Sequence, residues 1–253
     1  MIYDVQKASL LKRFSAFLLD LILLSILAAG FGWLLSAATG YDSYAARLDD
    51  SYRTYEARYG VTFDLTEEQY NALDKQARDA YDTAYRALLE DAETMHCYRM
   101  VLNLTLLITS LGILCAYLVL EFFLPMAFRN GQTVGKKIFG IAVMRTDGVR
   151  ISNLQLFVRT VLGKYTIETM IPVLIGIMIW FNSIGVVGVI VLGLILLLQI
   201  VLLAATRENS LLHDLLAGTV CVDLSSQLIF PTTEDMLEYK KKAAAERAAR
   251  EPY

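Results

Sequence analysis

The chain has few of the residues from which soluble enzymes build reactive centres. Only three cysteines and two histidines occur in 253 residues. Cys97, Cys115 and Cys221 form no Cys-x-x-Cys pair and no Cys/His ligand spacing, so neither a disulfide framework nor a metal site is expected. No nucleophile stands near a base at usable spacing and no cofactor motif is present, so the sequence predicts no enzyme and no bound cofactor. A strong net charge is also missing. At −3 the chain gives no reason to expect nucleic acid as a partner.

Apolar sequence is abundant. The chain is 56% hydrophobic with a mean hydropathy of +0.46. Several runs of about 20 apolar residues make a lipid bilayer the natural solvent. Four spans follow, at about Phe14–Thr39, Val101–Leu124, Thr166–Phe181 and Ile184–Ala205. The basic start and first apolar run mimic a signal peptide, but the run is too long and lacks a convincing small-x-small cleavage pattern. It is expected to be retained as the first span. Pro125 is read as closing the second span. The third is short, which points to a start further upstream or a tilt. Asn182-Ser183 reads as a tight turn into the fourth, which carries Gly185, Gly188, Gly193 and a single polar Gln199.

Lys and Arg mark the cytoplasmic side of a span. Lys7, Lys12 and Arg13 precede the first, Arg129, Lys136, Lys137, Arg145, Arg150, Arg159 and Lys164 lie between the second and third, and Arg207 follows the fourth. Both termini are therefore expected in the cytoplasm. The fold class is an all-α membrane protein of four transmembrane helices, with an extracytoplasmic helical hairpin insert and a small cytoplasmic β element. Its parts are the N-terminus and first span (1–40), the insert (41–99), the second span (100–125) and a basic loop (126–165). The third and fourth spans (166–206), a His-Asp helix and strand (207–224) and a charged tail (225–253) follow.

The insert has seven Lys and Arg against thirteen Asp and Glu, a net charge of −6. Tyr41, Tyr44, Leu48, Tyr52, Tyr55 and Tyr59 recur at helical spacing, and Gly60 ends that helix. Thr66-Glu-Glu-Gln69 is a capping box opening a second arm, with Tyr70, Leu73, Ala77, Tyr81, Ala84 and Leu88 on one side. That arm is expected to run straight into the second span. Interhelical packing is preferred to a ligand surface for the tyrosines, although the hairpin also offers itself to an extracytoplasmic protein partner. In the first span, Ala28, Gly32 and Ser36 form a small-residue stripe for which close helix approach and ordinary composition stay equally open.

In the basic loop, Ile138–Arg145 and Val149–Ser152 flank Thr-Asp-Gly148 as a β-hairpin. Ser152 or Asn153 then caps an interfacial helix, Leu154–Gly163. Thr219–Leu224 alternates like a strand that can join the hairpin as a third member. The tail from Thr232 reads as a solvated or lipid-attracted helix with no site. Gly131-Gln-Thr-Val-Gly135-Lys136-Lys137 has three residues between its glycines and a lysine where a phosphate-binding loop needs a hydroxyl. A turn with lysines anchored to headgroups explains it better. For His213-Asp214 a structural hydrogen-bonding role is preferred to acid/base chemistry.

Ionisable groups near membrane depth are the functional candidates. Asp20 lies inside the first span. Arg13, seven residues earlier, falls on the same face, about 10 Å away along the axis. Arg159, Arg207, His213 and Asp214 are expected to join them in one charge cluster, while Glu121 and Glu168 are candidate pathway carboxylates.

Arg13-x-x-Ala16-x-x-x-Asp20, Asn130-Gly-Gln-Thr-Val-Gly-Lys-Lys137, Arg159 and His213-Asp214-Leu-Leu-Ala-Gly-Thr219, in that order and membrane context, resemble the bacterial RDD family. The resemblance covers about residues 7–39 and 100–224 and leaves the acidic insert without a counterpart. It implies that Arg13, Asp20 and Asp214 are the arginine and two aspartates of the family name. It also implies a small protein of the bacterial inner membrane. Transport is commonly proposed for the family, and cation–proton antiport is ascribed to some members. Two expectations result: a cation- or proton-coupled transporter working as a homo-oligomer, or a non-transporting scaffold or partner-binding protein held together by the Arg/Asp cluster.

Overall fold

The computed structural model describes residues 5–180 and 184–250. The expected turn at Asn182-Ser183 lies outside them. Among the described residues four helices are long and apolar enough to cross a membrane: Leu10–Thr39, Ala92–Phe128, Asn153–Ile179 and Gly185–Ala205. With one small two-stranded sheet besides, this is an all-α membrane protein. The chain forms two compact units, Ala29–Gly112 and Met1–Ala28 with Ile113–Tyr253.

The first of these units contains the insert. Helix α1 (Leu10–Thr39) ends at Gly40, whose φ of 70° only glycine adopts freely, and α2 (Tyr41–Tyr59) follows at once. Gly60 closes α2, its N–H returning to the Glu56 carbonyl. The Thr66–Gln69 capping box is formed and opens α3 (Glu67–Ala72). The second arm is broken twice, however. Leu73 turns extended and Asp74 caps a new helix, α4 (Lys75–Glu90), through the Ala77 N–H. Asp91 then stops α4 and caps α5 (Ala92–Tyr117) at Thr94. The arm thus does not run straight into the second span, because two aspartates offer the backbone a cap in place of the next helical bond. Phe63 is the aromatic hub, edge-on to Tyr52, Tyr81 and Tyr85 at centroid distances of 5.7, 5.6 and 6.1 Å. The tyrosines pack the two arms together. At the membrane end, a Cβ on Gly32 would sit 3.8 Å from Ile108 Cγ2, so this position of the small-residue stripe faces α5 in ordinary contact.

In the second unit α5 continues through a π-helical stretch, Leu118–Phe123, into α6 (Leu124–Phe128). Pro125 therefore does not close the span. The wider i→i+5 winding before it, seen in the Leu124 N–H bonded to the Val119 carbonyl, admits a residue that lacks an N–H. Arg129, at φ 64°, is where the helix ends. After α7 (Val134–Ile138), strand β1 (Ile141–Arg145) pairs antiparallel with β2 (Thr219–Asp223), from Ile141 opposite Asp223 to Arg145 opposite Thr219. The expected local hairpin is reduced to one bridge, Met144 to Arg150. Five paired residues bury both sheet faces, which a short return strand could not do. Ile141, Val143 and Cys221 pack with Ala16, Ile151 and Leu156, while Ala142, Met144, Val220 and Val222 pack with Val5 and Ile229.

Ser152 caps α8 (Asn153–Phe157) with a second capping box, to Gln155. Helix α8 is not a separate interfacial helix. It runs through a π-helical stretch, Val158–Met170, into α9 (Ile171–Trp180), so the third span starts well upstream of Thr166. Helix α10 (Gly185–Ala205) precedes α11 (Leu212–Ala217), and α12 (Thr233–Arg250) forms the tail. The tail is not wholly solvated: Met236 is buried with Val149 and Phe230.

Candidate functional site

The charged residues of the second unit form two adjoining groups. In the first, Asp20 on α1 accepts the Gly135 N–H at 2.7 Å and the Thr133 hydroxyl. The approach requires glycine. A Cβ on Gly135 would fall 2.9 Å from the Asp20 carboxyl and closer still to the Ala16 carbonyl. Thr133 also caps α7 and holds the Lys136 ammonium at 3.2 Å. Lys136 Nζ lies 3.8 Å from Asp20 and 3.9 Å from Glu121, beyond hydrogen-bonding distance of both. Burial lowers the Lys136 pKa, the nearby carboxylate of Glu121 opposing that shift. Glu121 is bound directly by Lys164 at 2.6 Å.

In the second group, Arg159 donates Nε and Nη2 to the same oxygen of Asp214, at 3.0 and 2.9 Å. The other Asp214 oxygen faces Arg13 Nη2 and His213 Nε2, each at 3.6 Å. Burial disfavours the Asp214 charge, but Arg159, His213 and Arg13 outweigh it and hold the carboxyl well below its ordinary range. His213 gives its backbone N–H and Nδ1 to Glu168, at 3.0 and 2.7 Å, and Gln199 holds the same carboxylate at 2.9 Å. Burial pushes the His213 imidazole below its usual value, against the pull of Asp214. Adjacent helix residues point about 100° apart, so His213 and Asp214 serve different partners.

Helix winding assembles this face. Arg159, Gly163, Lys164 and Glu168 are separated by four, five and nine residues from the first. At the ~4.4 residues per turn implied by i→i+5 bonding these share one side, whereas in an α-helix the ninth residue falls opposite. Gly163 lets α11 approach: a Cβ there would lie 2.5 Å from His213 Cβ. Each π-helical stretch ends two residues before a proline, Pro125 and Pro172. Each proline lies four residues after a carboxylate, Glu121 and Glu168. Pro125 has no N–H to give the Glu121 carbonyl, which the Thr160 hydroxyl binds instead at 2.8 Å.

The expected single cluster is thus divided. Arg13, Arg159, His213 and Asp214 meet, joined by Glu168. Asp20 pairs with neither Arg13 nor Arg159 but lies with Glu121, so the two candidate pathway carboxylates fall in different groups. Arg207 is exposed and contributes its backbone carbonyl, which accepts from Lys7 at 2.5 Å. The loop lysine Lys136 is buried at 8% exposure, not anchored to headgroups, because two carboxylates compensate it more fully than water at the interface would. Lys136, Lys164, Thr133 and Gln199 are the members that sequence reasoning missed. The repeated Glu-x-x-x-Pro at Glu121 and Glu168 was a usable signal for where the helices widen.

No solved structure matches the chain. A Bacillus subtilis (strain 168) relative, "Uncharacterized protein YckC", is 31% identical over 110 residues, or 44% of this chain and 58% of the relative. The matched part is thus little more than half of that relative's length. The model of the RDD family matches residues 7–218, which include both charged groups, and the chain belongs to the RDD family.

Proposed function

We propose that this membrane protein is a transporter exchanging a cation against protons, with Asp20, Lys136 and Glu121 as the coupling site. The observation that carries this is the loose seat of Lys136. Its ammonium lies between two carboxylates and is hydrogen-bonded to neither; among the described residues Thr133 alone holds it. A cation entering between Asp20 and Glu121 competes with that ammonium, and the lowered Lys136 pKa lets the proton leave as the cation arrives. Lys164 stays on Glu121, so the site needs one further positive charge beside Asp20 in either state. The Arg159–Asp214 and Lys164–Glu121 pairs are neutralised in place.

The protein is placed in the bacterial cytoplasmic membrane with the sheet and both termini in the cytoplasm, a reading supported by the basic residues around Arg13, Arg129 and Lys137. A homo-oligomer belongs to the same proposal, since the spans leave apolar faces exposed that a second copy could cover. Reconstituted protein tests the mechanism: Asp20→Asn and Lys136→Gln should each reduce cation/proton exchange by about tenfold or more. Wild-type exchange rates in both variants would rule it out.

A second reading, a scaffold with an extracytoplasmic partner at the 41–99 hairpin, is favoured by the fixed geometry of Arg159 and Asp214. It expects no flux from the wild type across a panel of ions and small solutes.

A further inference from the structure

We propose that a cleft between the end of α6 and the start of α8 is a binding site for the phosphate of an anionic phospholipid headgroup. The cleft has a volume of about 220 Å³, several times the ~30 Å³ share of one water molecule. Arg129 and Arg150 line it together with the apolar Pro125, Met126 and Leu156 and the amide of Asn153. Among the described residues no carboxylate lines it, and neither guanidinium has a hydrogen-bond or ion-pair partner. This contrasts with Arg13 and Arg159, which are held by Asp214.

Both arginines are aimed by the fold. Arg129 occupies the left-handed region at φ 64°, where glycine is the usual helix terminator. A side chain is kept at a position that disfavours one, and it lines the cleft. Arg150 is fixed by its backbone, which bridges Met144 and donates to the Phe230 carbonyl at 2.9 Å. Its neighbours Val149 and Ile151 are buried, so the pleat sends Arg150 outward. Two guanidiniums without a counter-charge suit a phosphate diester.

The position favours a lipid over a free anion. Arg129 directly follows one candidate span, Ala92–Phe128, and Asn153 opens the next, Asn153–Ile179. Apolar lining residues have no use for inorganic phosphate, but they accommodate the glycerol and first methylenes of a lipid whose chains follow the spans. Basic pockets between transmembrane helices bind anionic headgroups in this way. The proposal is independent of whether the protein transports anything.

Native mass spectrometry of the full chain in dodecyl maltoside tests it, with dioctanoyl phosphatidylglycerol, dioctanoyl phosphatidylcholine and inorganic phosphate as probes. Phosphatidylglycerol should bind the wild type and the control Arg86→Gln alike. Its affinity should fall about tenfold or more in Arg129→Gln/Arg150→Gln, whose loss removes two charge-assisted contacts. Phosphatidylcholine should bind weakly and equally to all three. Equal phosphatidylglycerol binding by the double variant overturns the proposal. So does inorganic phosphate that binds as tightly as the lipid and displaces it, which would make the cleft a soluble-anion site. The substituted side chains are exposed, so both variants should fold; each single variant repeats the test if the double one does not.

Discussion

Arg13 pairs with Asp214 across 3.6 Å, from the start of the first membrane helix to the short helix after the last. Asp20, seven residues along from Arg13, bonds instead to Gly135 and Thr133 in the loop between the second and third spans. One helix face therefore fastens two separate parts of the chain. The charges that define the sequence pattern hold the small sheet and α11 to the helix ends, and they leave Lys136 without a carboxylate at hydrogen-bonding distance.

Asp214→Asn should be the most damaging single change in the second group. It leaves Arg159 and Arg13 buried without their counter-charge, a loss of about 3–5 kcal/mol. Replacing both partners, as Arg159→Met with Asp214→Leu, should cost clearly less than the two single changes added together. Thermal unfolding in detergent measures both, and additive losses would argue against direct coupling.

Gly135→Ala should destabilise by about 1–3 kcal/mol, because the new methyl meets the main-chain carbonyl of Ala16, which cannot swing aside. Asp20→Asn in the same background should then cost less than in the wild type, since the loop contact is already disturbed. Full additivity in the melting temperatures would show that Gly135 and Asp20 act independently.

Stability should fall on mild acidification because of His213. Its folded pKa is lowered, first by burial, so its contribution is complete above the ordinary value of ~6.5 and is lost as pH falls through the folded value. Glu168 and Asp214 face the ring and oppose that shift, with Arg159 adding to it. Asp214 and Asp223 are shifted the same way from a lower ordinary value, and their contributions disappear only in stronger acid, for Asp223 toward a pKa of about 2. Wild-type melting temperature should therefore drop between pH 7.5 and 5.5, with a slope of at most about 1.4 kcal/mol per pH unit, and His213→Gln should flatten it. Unchanged pH dependence in that variant would sink this account.

Thr160→Val should cost about 1–3 kcal/mol, since the Glu121 carbonyl loses the hydroxyl that Pro125 cannot replace. Pro125→Ala supplies an N–H four residues on, and it should reduce the penalty of Thr160→Val. Equal penalties in the two backgrounds, read from denaturant or thermal midpoints, would show that the carbonyl is satisfied elsewhere.

The capping signals were legible in the sequence because they are local. Thr66 to Gln69 acts over three residues and forms, and of the two caps offered at Ser152 and Asn153 the structure uses Ser152. The breaks at Leu73 and Asp91 were harder to see, since an aspartate caps only when the chain turns out of the helix, and periodicity does not record that choice. Strand partners were harder again. Ile141–Arg145 pairs with a segment more than seventy residues on, where a turn signal at Thr-Asp-Gly148 had suggested the nearer one.

The sequence by itself determined that this is a four-span membrane protein and that its ionisable residues gather near the helix ends. Apolar run length and the cost of charge in lipid require no partner to be read. Tertiary structure alone decided which charge meets which. Arg13, Asp20 and Glu168 each had several oppositely charged candidates at similar depth, and the π-helical winding between Val158 and Met170 rotates side chains through angles that an α-helical reading does not give. Pairing over long range depends on that rotation, and on glycines that allow Asp20 and His213 to come close.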